Sequence, residues 1–297
     1  MSVLTLQHLS KKYGRIQALQ DVSFEVPEGC VFGILGPNGS GKTTLLGIIM
    51  NVLQPSGGDF SFFNEPASAA LRKKIGTLLE TPNFYAYLSA VDNLKIAAAI
   101  KGVPESDIDR VLELVALTER KDSKFSTYSL GMKQRLAIAS CLLGDPTVLV
   151  FDEPTNGLDP VGIAEIRNLI IQLYKQGKTI IMASHLLDEV EKVCTHVAIL
   201  QRGKLLASGN VDEILVNEDI VEVASTNLDA LAELLKDYPE LVRMVPQSQF
   251  LELYFTTGMV SMESLNQFCF SKGIVLQHLR LRKKSLETKF FELTQNK

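Results

Sequence analysis

The chain has 297 residues, 46% of them hydrophobic and 22% charged, with a formal net charge of −4 at pH 7. That length suits about two globular domains, the apolar content excludes a disordered class, and the mildly acidic balance gives no overall electrostatic footprint for nucleic acid. Cys30, Cys141, Cys194 and Cys269 lie far apart with no C-x-x-C pair and read as small buried residues of a reducing compartment, while no apolar run approaches the ~20 residues of a spanning helix.

In chain order, Val3, Leu4, Leu6 and Leu9, then Val22, Phe24 and Val26, pattern as two strands, with Pro27-Glu28-Gly29 as the turn that follows. Tyr13 between them carries a ring able to stack on adenine, although such a residue taken alone is more often an ordinary surface or core aromatic. Val31 to Leu35 then forms a short buried strand, followed at once by Gly36, Pro37, Asn38, Gly39, Ser40, Gly41, Lys42, Thr43 and Thr44. The spacing G-x-x-x-x-G-K-T is the Walker A pattern. Its backbone N–H groups cradle phosphates, Lys42 reaches the β/γ-phosphates of a nucleoside triphosphate and Thr43 ligates Mg²⁺. The dinucleotide fingerprint G-x-G-x-x-G does not fit these positions.

Asp59 to Phe63 and Ile75 to Leu79 pattern as strands, the second ending at Glu80. Pro82, Phe84, Tyr85 and Tyr87 make an aromatic loop that opens a helical stretch from about Ala90 to Ala116. Aromatics in a loop fit either a partner surface or a cap on a helical core. Ser129, Leu130, Gly131, Met132, Lys133 and Gln134 open a further helix. A serine and glycine at that place form an anion site or a plain helix cap. Val148 to Phe151 is an apolar strand that carries Asp152 and Glu153 to its carboxyl end, where open α/β sheets place ligands. In a chain with a phosphate loop, Asp152 suits the Mg²⁺ and Glu153 the proton of the attacking water. Pro154 to Pro160 is a turn-rich loop before a helix, and Thr179 to Ala183 is a strand ending in Ser184-His185. His185 is placed to bond a terminal phosphate, a position at which histidine is also a common structural residue.

Taken in order, Tyr13, the Gly36–Thr44 loop, Glu80, Ser129 to Gln134, Val148 to Glu153, Asn156 to Asp159 and His185 resemble the nucleotide-binding domain of ABC transporters over about residues 1–215. The Ser-x-Gly-x-x-Gln segment is the family's own signature. The resemblance implies an ATPase that uses ATP and Mg²⁺, with Tyr13 on adenine, Thr43, Glu80 and Asp152 toward the metal, Glu153 as base and His185 on the γ-phosphate. It also implies a head-to-tail pair with a second nucleotide-binding subunit, identical or related, in which Ser129 to Gln134 and Asp159 act across the interface. A separate membrane permease is the implied partner, so that the subunit sits peripherally on the cytoplasmic face of the membrane. The family commonly has glutamine at position 80. Glu80, with Pro82, Phe84 and Tyr85 after it, resembles the ATPase subunits of bacitracin and lantibiotic exporters.

Beyond about residue 216 these motifs end. Four strands, Ile220 to Ala224, Leu241 to Val245, Leu251 to Phe255 and Ile274 to Leu279, alternate with helices near Asn227 to Lys236 and Ser261 to Phe270. A last helix follows from Ser285, and the basic run Arg280, Arg282, Lys283, Lys284 reads as a solvated face. The expected fold is α/β: a P-loop NTPase cassette with an antiparallel β subdomain and a helical subdomain (residues 1–215), plus a small α+β ferredoxin-like domain (residues 216–297). The leading expectation is an export ATPase. A soluble ABC ATPase acting on ribosomes or DNA is the alternative, and a P-loop kinase would have no use for the signature.

Overall fold

The computed structural model describes residues 1–66, 68, 71, 74–79, 83–215, 219–236, 238–256, 258–282 and 286–295. Its chain divides into two compact units, Met1–Asn210 and Val211–Lys297. The segment Val211–Leu215, expected in the first domain, falls in the second unit.

The first unit begins with β1 (Ser2–Tyr13), β2 (Ile16–Pro27), β3 (Val31–Leu35), α1 (Lys42–Ile49), β4 (Gly57–Phe62), β5 (Glu65–Pro66) and β6 (Ile75–Leu78). It continues with α2 (Ala90–Lys101), α3 (Ile108–Leu114), α4 (Leu130–Leu142), β7 (Val148–Asp152), α5 (Pro160–Lys175), β8 (Thr179–Ser184), α6 (Leu187–Val193), β9 (His196–Gln201) and β10 (Lys204–Asn210). Among the described residues these strands form two sheets, an antiparallel one in the order β2-β1-β4-β5 and a six-stranded one in the order β10-β9-β3-β8-β7-β6. The larger sheet is parallel except for its β9–β10 hairpin. Every residue of β3, β7 and β8 is buried, as expected for parallel strands covered on both faces.

One hydrophobic core unites Leu4, Leu6 and Val22 of the first sheet, Phe32, Ile34, Val150 and Ile181 of the second, and Leu45, Leu46, Ile48 and Ile49 of α1. Helix α1 is thus anchored by its apolar side chains, and the loop before it is held in place. The long helical stretch expected from Ala90 to Ala116 is instead broken. Helix α2 stops at Gly102 in the left-handed region (φ 71°), Pro104 lacks the N–H needed to continue, and a short 3₁₀ turn at Glu105–Asp107 leads into α3. Strand β5 was not foreseen, whereas Gln201-Arg202-Gly203-Lys204 reads in the sequence as a hairpin turn and so implies β10. Strand β10 pairs with β9 through the two-residue turn at Arg202 (φ 48°) and Gly203 (φ 77°), the left-handed pair that favours tight hairpins.

The second unit contains α7 (Val211–Leu215), β11 (Asp219–Ala224), α8 (Leu228–Leu235), β12 (Leu241–Pro246), β13 (Leu251–Phe255), α9 (Met262–Ser271), β14 (His278–Arg282) and α10 (Leu286–Gln295). Its strands pair antiparallel in the order β12-β13-β11-β14. Val221, Val223, Leu251, Leu253 and Phe255 meet Leu231, Leu235, Leu265 and Cys269 of the two longer central helices in a separate core. The last strand starts at His278, later than the expected Ile274. Gly273 turns the chain in the left-handed region (φ 81°), Ile274 and Leu276 pack against the core, and sheet-side bonding resumes only where the Gln277 N–H donates to the Ala224 carbonyl (2.8 Å).

Candidate active site at the carboxyl ends of the parallel strands

The Gly36–Thr44 loop leaves β3 and enters α1. A Cβ on Gly36 would lie 2.3 Å from the Leu200 carbonyl oxygen and 2.5 Å from Ser40 Oγ, and one on Gly41 would lie 2.7 Å from the Ala18 carbonyl oxygen. Only glycine fits at either place. Gly41, the N-cap of α1, makes no side-chain cap, so the N–H groups of the first turn have no intrahelical acceptor, and the helix dipole favours an anion there. Ser40 Oγ is buried and has no hydrogen-bond partner among the described residues. These features suit a polyanion against the loop.

Lys42 is buried, and its ammonium donates to the carbonyls of Gly36 (2.7 Å) and Pro37 (3.3 Å). It also lies 3.4 Å from Glu153 Oε1. The second carboxylate oxygen of Glu153 is 2.8 Å from His185 Nδ1. Phosphate loop, β7 end and β8 end are therefore joined by the line Lys42–Glu153–His185. Glu153 adopts φ 49°, a left-handed conformation that is costly for a non-glycine residue and concentrates at functional sites. Its N–H donates to the Ala183 carbonyl (3.1 Å), which holds the turn. Asp152, just before it, is buried at the end of β7. Thr43 is exposed on the loop side.

Ser129 is the N-cap of α4, accepting the Met132 N–H at 3.3 Å. Leu130 is half exposed, and Gly157 approaches it so closely that a Cβ there would touch Leu130 Cδ2 at 3.4 Å. Asp159 caps α5, accepting the Gly162 N–H at 2.8 Å. Gly131 and Met132 are partly exposed, Gln134 is buried, and Lys133 Nζ stands 5.4 Å from the centre of the Phe125 ring. The contacts thus gather the expected residues into two groups, the Gly36–Thr44 loop with Glu153 and His185, and Ser129–Gln134 with the Asn156–Asp159 turn. Tyr13 ends β1, with Lys11 Nζ 5.0 Å from its ring centre. Glu80, expected beside the metal, lies outside the described residues.

The ABC transporter family model matches residues 19–156. The chain is 39% identical over 301 residues to the uncharacterized ABC transporter ATP-binding protein YhcH of Bacillus subtilis (strain 168), covering 99% of this chain and 96% of that one. It is 32% identical over 297 residues to the bacitracin transport ATP-binding protein BcrA of Enterococcus faecalis, covering 98% and 96%. The chain belongs to the ABC transporter ATP-binding family. Among solved structures, cbiO1 of Clostridium perfringens, part of the ABC transporter complex cbiONQ, superposes with a TM-score of 0.66 at 32% identity over 72% of this chain and 90% of that one.

As an ABC transporter ATP-binding subunit the protein is an ATPase of a P-loop cassette fold with mixed α/β sheets. Among the described residues no helix is long and apolar enough to cross a membrane. One important polar residue was missed in the sequence. Asn93 is buried in α2, where its Oδ1 accepts the Tyr85 N–H (2.8 Å) and its Nδ2 donates to the carbonyls of Tyr85 (3.1 Å) and Ser89 (2.9 Å). An asparagine among the apolar residues of a helix was the only local sign of it. It holds the aromatic loop, with Phe84 against Phe125 at 5.2 Å and Tyr85 and Tyr87 facing solvent. Phe84 thus packs as the core cap that the loop could supply, while Tyr85 and Tyr87 are exposed.

Proposed function

We propose that this ATPase powers export through a separate membrane permease, hydrolysing ATP at a site that two nucleotide-binding subunits complete together. The observation that carries the reading is Glu153, held between Lys42 and His185 beside the glycine loop. A triphosphate on the loop draws Lys42 to its phosphates, which leaves Glu153 to accept the proton of the attacking water and His185 to bond the terminal phosphate. Thr43 and Asp152 would hold Mg²⁺ together with phosphate oxygens, the usual way this ion is bound. An ion held there would supply positive charge beside the transferring phosphoryl group. Glu80 belongs to the same proposal, and Glu80→Gln should retain ATP binding. Tyr13, exposed at the end of β1, supplies the adenine platform.

Ser129–Gln134 and Asp159 act on the nucleotide of the second subunit, which explains why they form a cluster of their own with an exposed leucine. A symmetric pair is the simplest closure. The permease docks in the groove lined by Phe84, Tyr85, Asn93, Ile96, Ala97 and Ile100, a cavity of about 420 Å³. Tyr85 is 52% and Ile100 76% exposed, and such an apolar groove fits an amphipathic helix from the cytoplasmic side of a membrane subunit. The bacitracin relative matches nearly the whole chain, which supports a peptide antibiotic or drug as cargo and a peripheral place on the cytoplasmic face of the membrane. The strand order of the second unit supports a split βαβ, ferredoxin-like domain, with dimer support or regulation as its role.

The test is Glu153→Gln, which should bind ATP while turnover falls roughly 10²–10⁴-fold, the range for a general base. Undiminished hydrolysis would remove Glu153 from that role.

A further inference from the structure

Helix α4, which begins at the signature, ends at Leu142 with carbonyl groups that no later turn of the helix can satisfy. Side chains from elsewhere in the helical layer take their place. The ammonium of Lys101, the last residue of α2, donates to the carbonyls of Ser140 (2.8 Å), Cys141 (2.9 Å) and Leu143 (3.4 Å). Arg110 of α3 donates to the fourth, Leu142 (3.0 Å). Arg110 is itself gripped by Asp107, whose Oδ2 accepts the Gly144 N–H at 2.8 Å. Two cations thus meet the negative end of the helix dipole. The attachment is reciprocal, since Arg135 of α4 donates to the carbonyls of Val115 (3.2 Å) and Ala116 (3.3 Å) at the end of α3.

The clamp rests on a close approach. A Cβ on Gly76 of β6 would lie 2.5 Å from the Cys141 carbonyl oxygen, so the end of α4 sits directly on the parallel sheet. Burial lowers the Lys101 pKa, a cost accepted for a cation with carbonyl partners. The same helix α2 carries Ile96, Ala97 and Ile100 in the apolar groove, within about a turn and a half before Lys101.

We propose that Lys101 is a positioning residue: it ties the groove on α2 to the far end of the signature helix and thereby sets how Ser129 is presented to the second subunit's nucleotide. This rests on the reading that the signature acts across a pair. The Lys101 ammonium is spent on the carbonyls of Ser140, Cys141 and Leu143. Its removal frees three carbonyls at one end of α4, and the displacement is read at the other end.

The experiment uses the full chain carrying Glu153→Gln, with ATP and Mg²⁺ as the probe. ATP affinity is measured on dilute protein by equilibrium binding, and pairing is measured by sedimentation at rising protein concentration. Lys101→Met should leave ATP affinity within about twofold and weaken ATP-driven pairing by about tenfold, the scale of a lost hydrogen bond to a charged group. Lys101→Arg, which can still donate to several carbonyls, should restore it, and Arg110→Gln should repeat the loss in milder form. Parent-like pairing by Lys101→Met would overturn the proposal. So would a parallel fall of ATP affinity, pairing and melting temperature, which marks a folding defect. A Glu153→Gln parent that itself never pairs with ATP would overturn the paired reading first, a result distinguishable from failure of the Lys101 variant alone.

Discussion

In the first unit the buried Lys42 and Asp152 and the partly buried Glu153 meet where β3, β7 and β8 end, with Ser40 Oγ lacking a partner among the described residues. In the second unit Glu222 and Glu252, each only 7% exposed, sit in the middle of strands and are answered on the spot. Arg282 reaches both carboxylates at 3.3 Å, His278 lies 3.3 Å from Glu222, and Tyr254 donates to Glu252 at 2.9 Å. Arg243 covers the Tyr254 ring at 3.5 Å. Charge that is satisfied within its own sheet serves architecture, because a buried ion must be paired to be tolerated. Charge gathered from separate elements at the rim of a parallel sheet, next to a loop shaped for an anion, serves chemistry.

That contrast can be broken by mutation. The largest effect belongs to the rim, where the 10²–10⁴-fold loss of turnover in Glu153→Gln should leave the melting of the second unit unchanged. Next, Arg282→Met removes the guanidinium shared by two nearly buried carboxylates and should destabilise the second unit by about 2 kcal/mol, read by calorimetry, with ATP hydrolysis per folded molecule unaltered. A fall in turnover instead would assign the tail cluster to the catalytic cycle.

A smaller effect comes from Asp107. Its hydrogen bond with Arg110, foremost, and then that with the Gly144 N–H hold its carboxyl below the ordinary range. The folded value is depressed, so its contribution to stability is present above the unfolded carboxylate value, about 4, and is lost as pH falls through the folded value. Asp107→Asn should therefore melt below the parent at neutral pH, with the gap closing in acid; a gap independent of pH would assign the effect to packing. The mildest test concerns the thiols. Burial raises Cys30 to about 12 and Cys141 to about 11, and lifts Cys194 and Cys269 as well. All four are buried and free, so iodoacetamide at pH 8 should label the native chain negligibly and the unfolded chain fully.

Much of the site was legible because its signals are local. The glycine spacing, the apolar runs of β3, β7 and β8 and the acidic pair after Phe151 are each contained in a few consecutive residues. What stayed hidden depends on distant partners. Strand β5, only Glu65–Pro66, forms because β4 offers it an edge. The left-handed turn at Glu153 is held by the Ala183 carbonyl from the neighbouring strand. Lys101 looks like an ordinary basic residue in the last turn of α2, and only the fold shows that the carbonyls it caps belong to α4, some 40 positions later. The late start of β14 follows from the same cause, since Ile274 and Leu276 have strand-like chemistry and were drawn into the core beside helices instead.

The central claim, that ATP is enclosed between two subunits, is tested most directly by cross-linking. Asn38 on the phosphate loop and Ser129 at the signature are both exposed, and the native cysteines are buried. Two separately purified Glu153→Gln chains, one with Asn38→Cys and the other with Ser129→Cys, are mixed and oxidised with and without Mg-ATP. The account expects a mixed disulfide dimer that forms only with nucleotide. A mixture that stays monomeric in saturating Mg-ATP, or that cross-links equally without it, would contradict it.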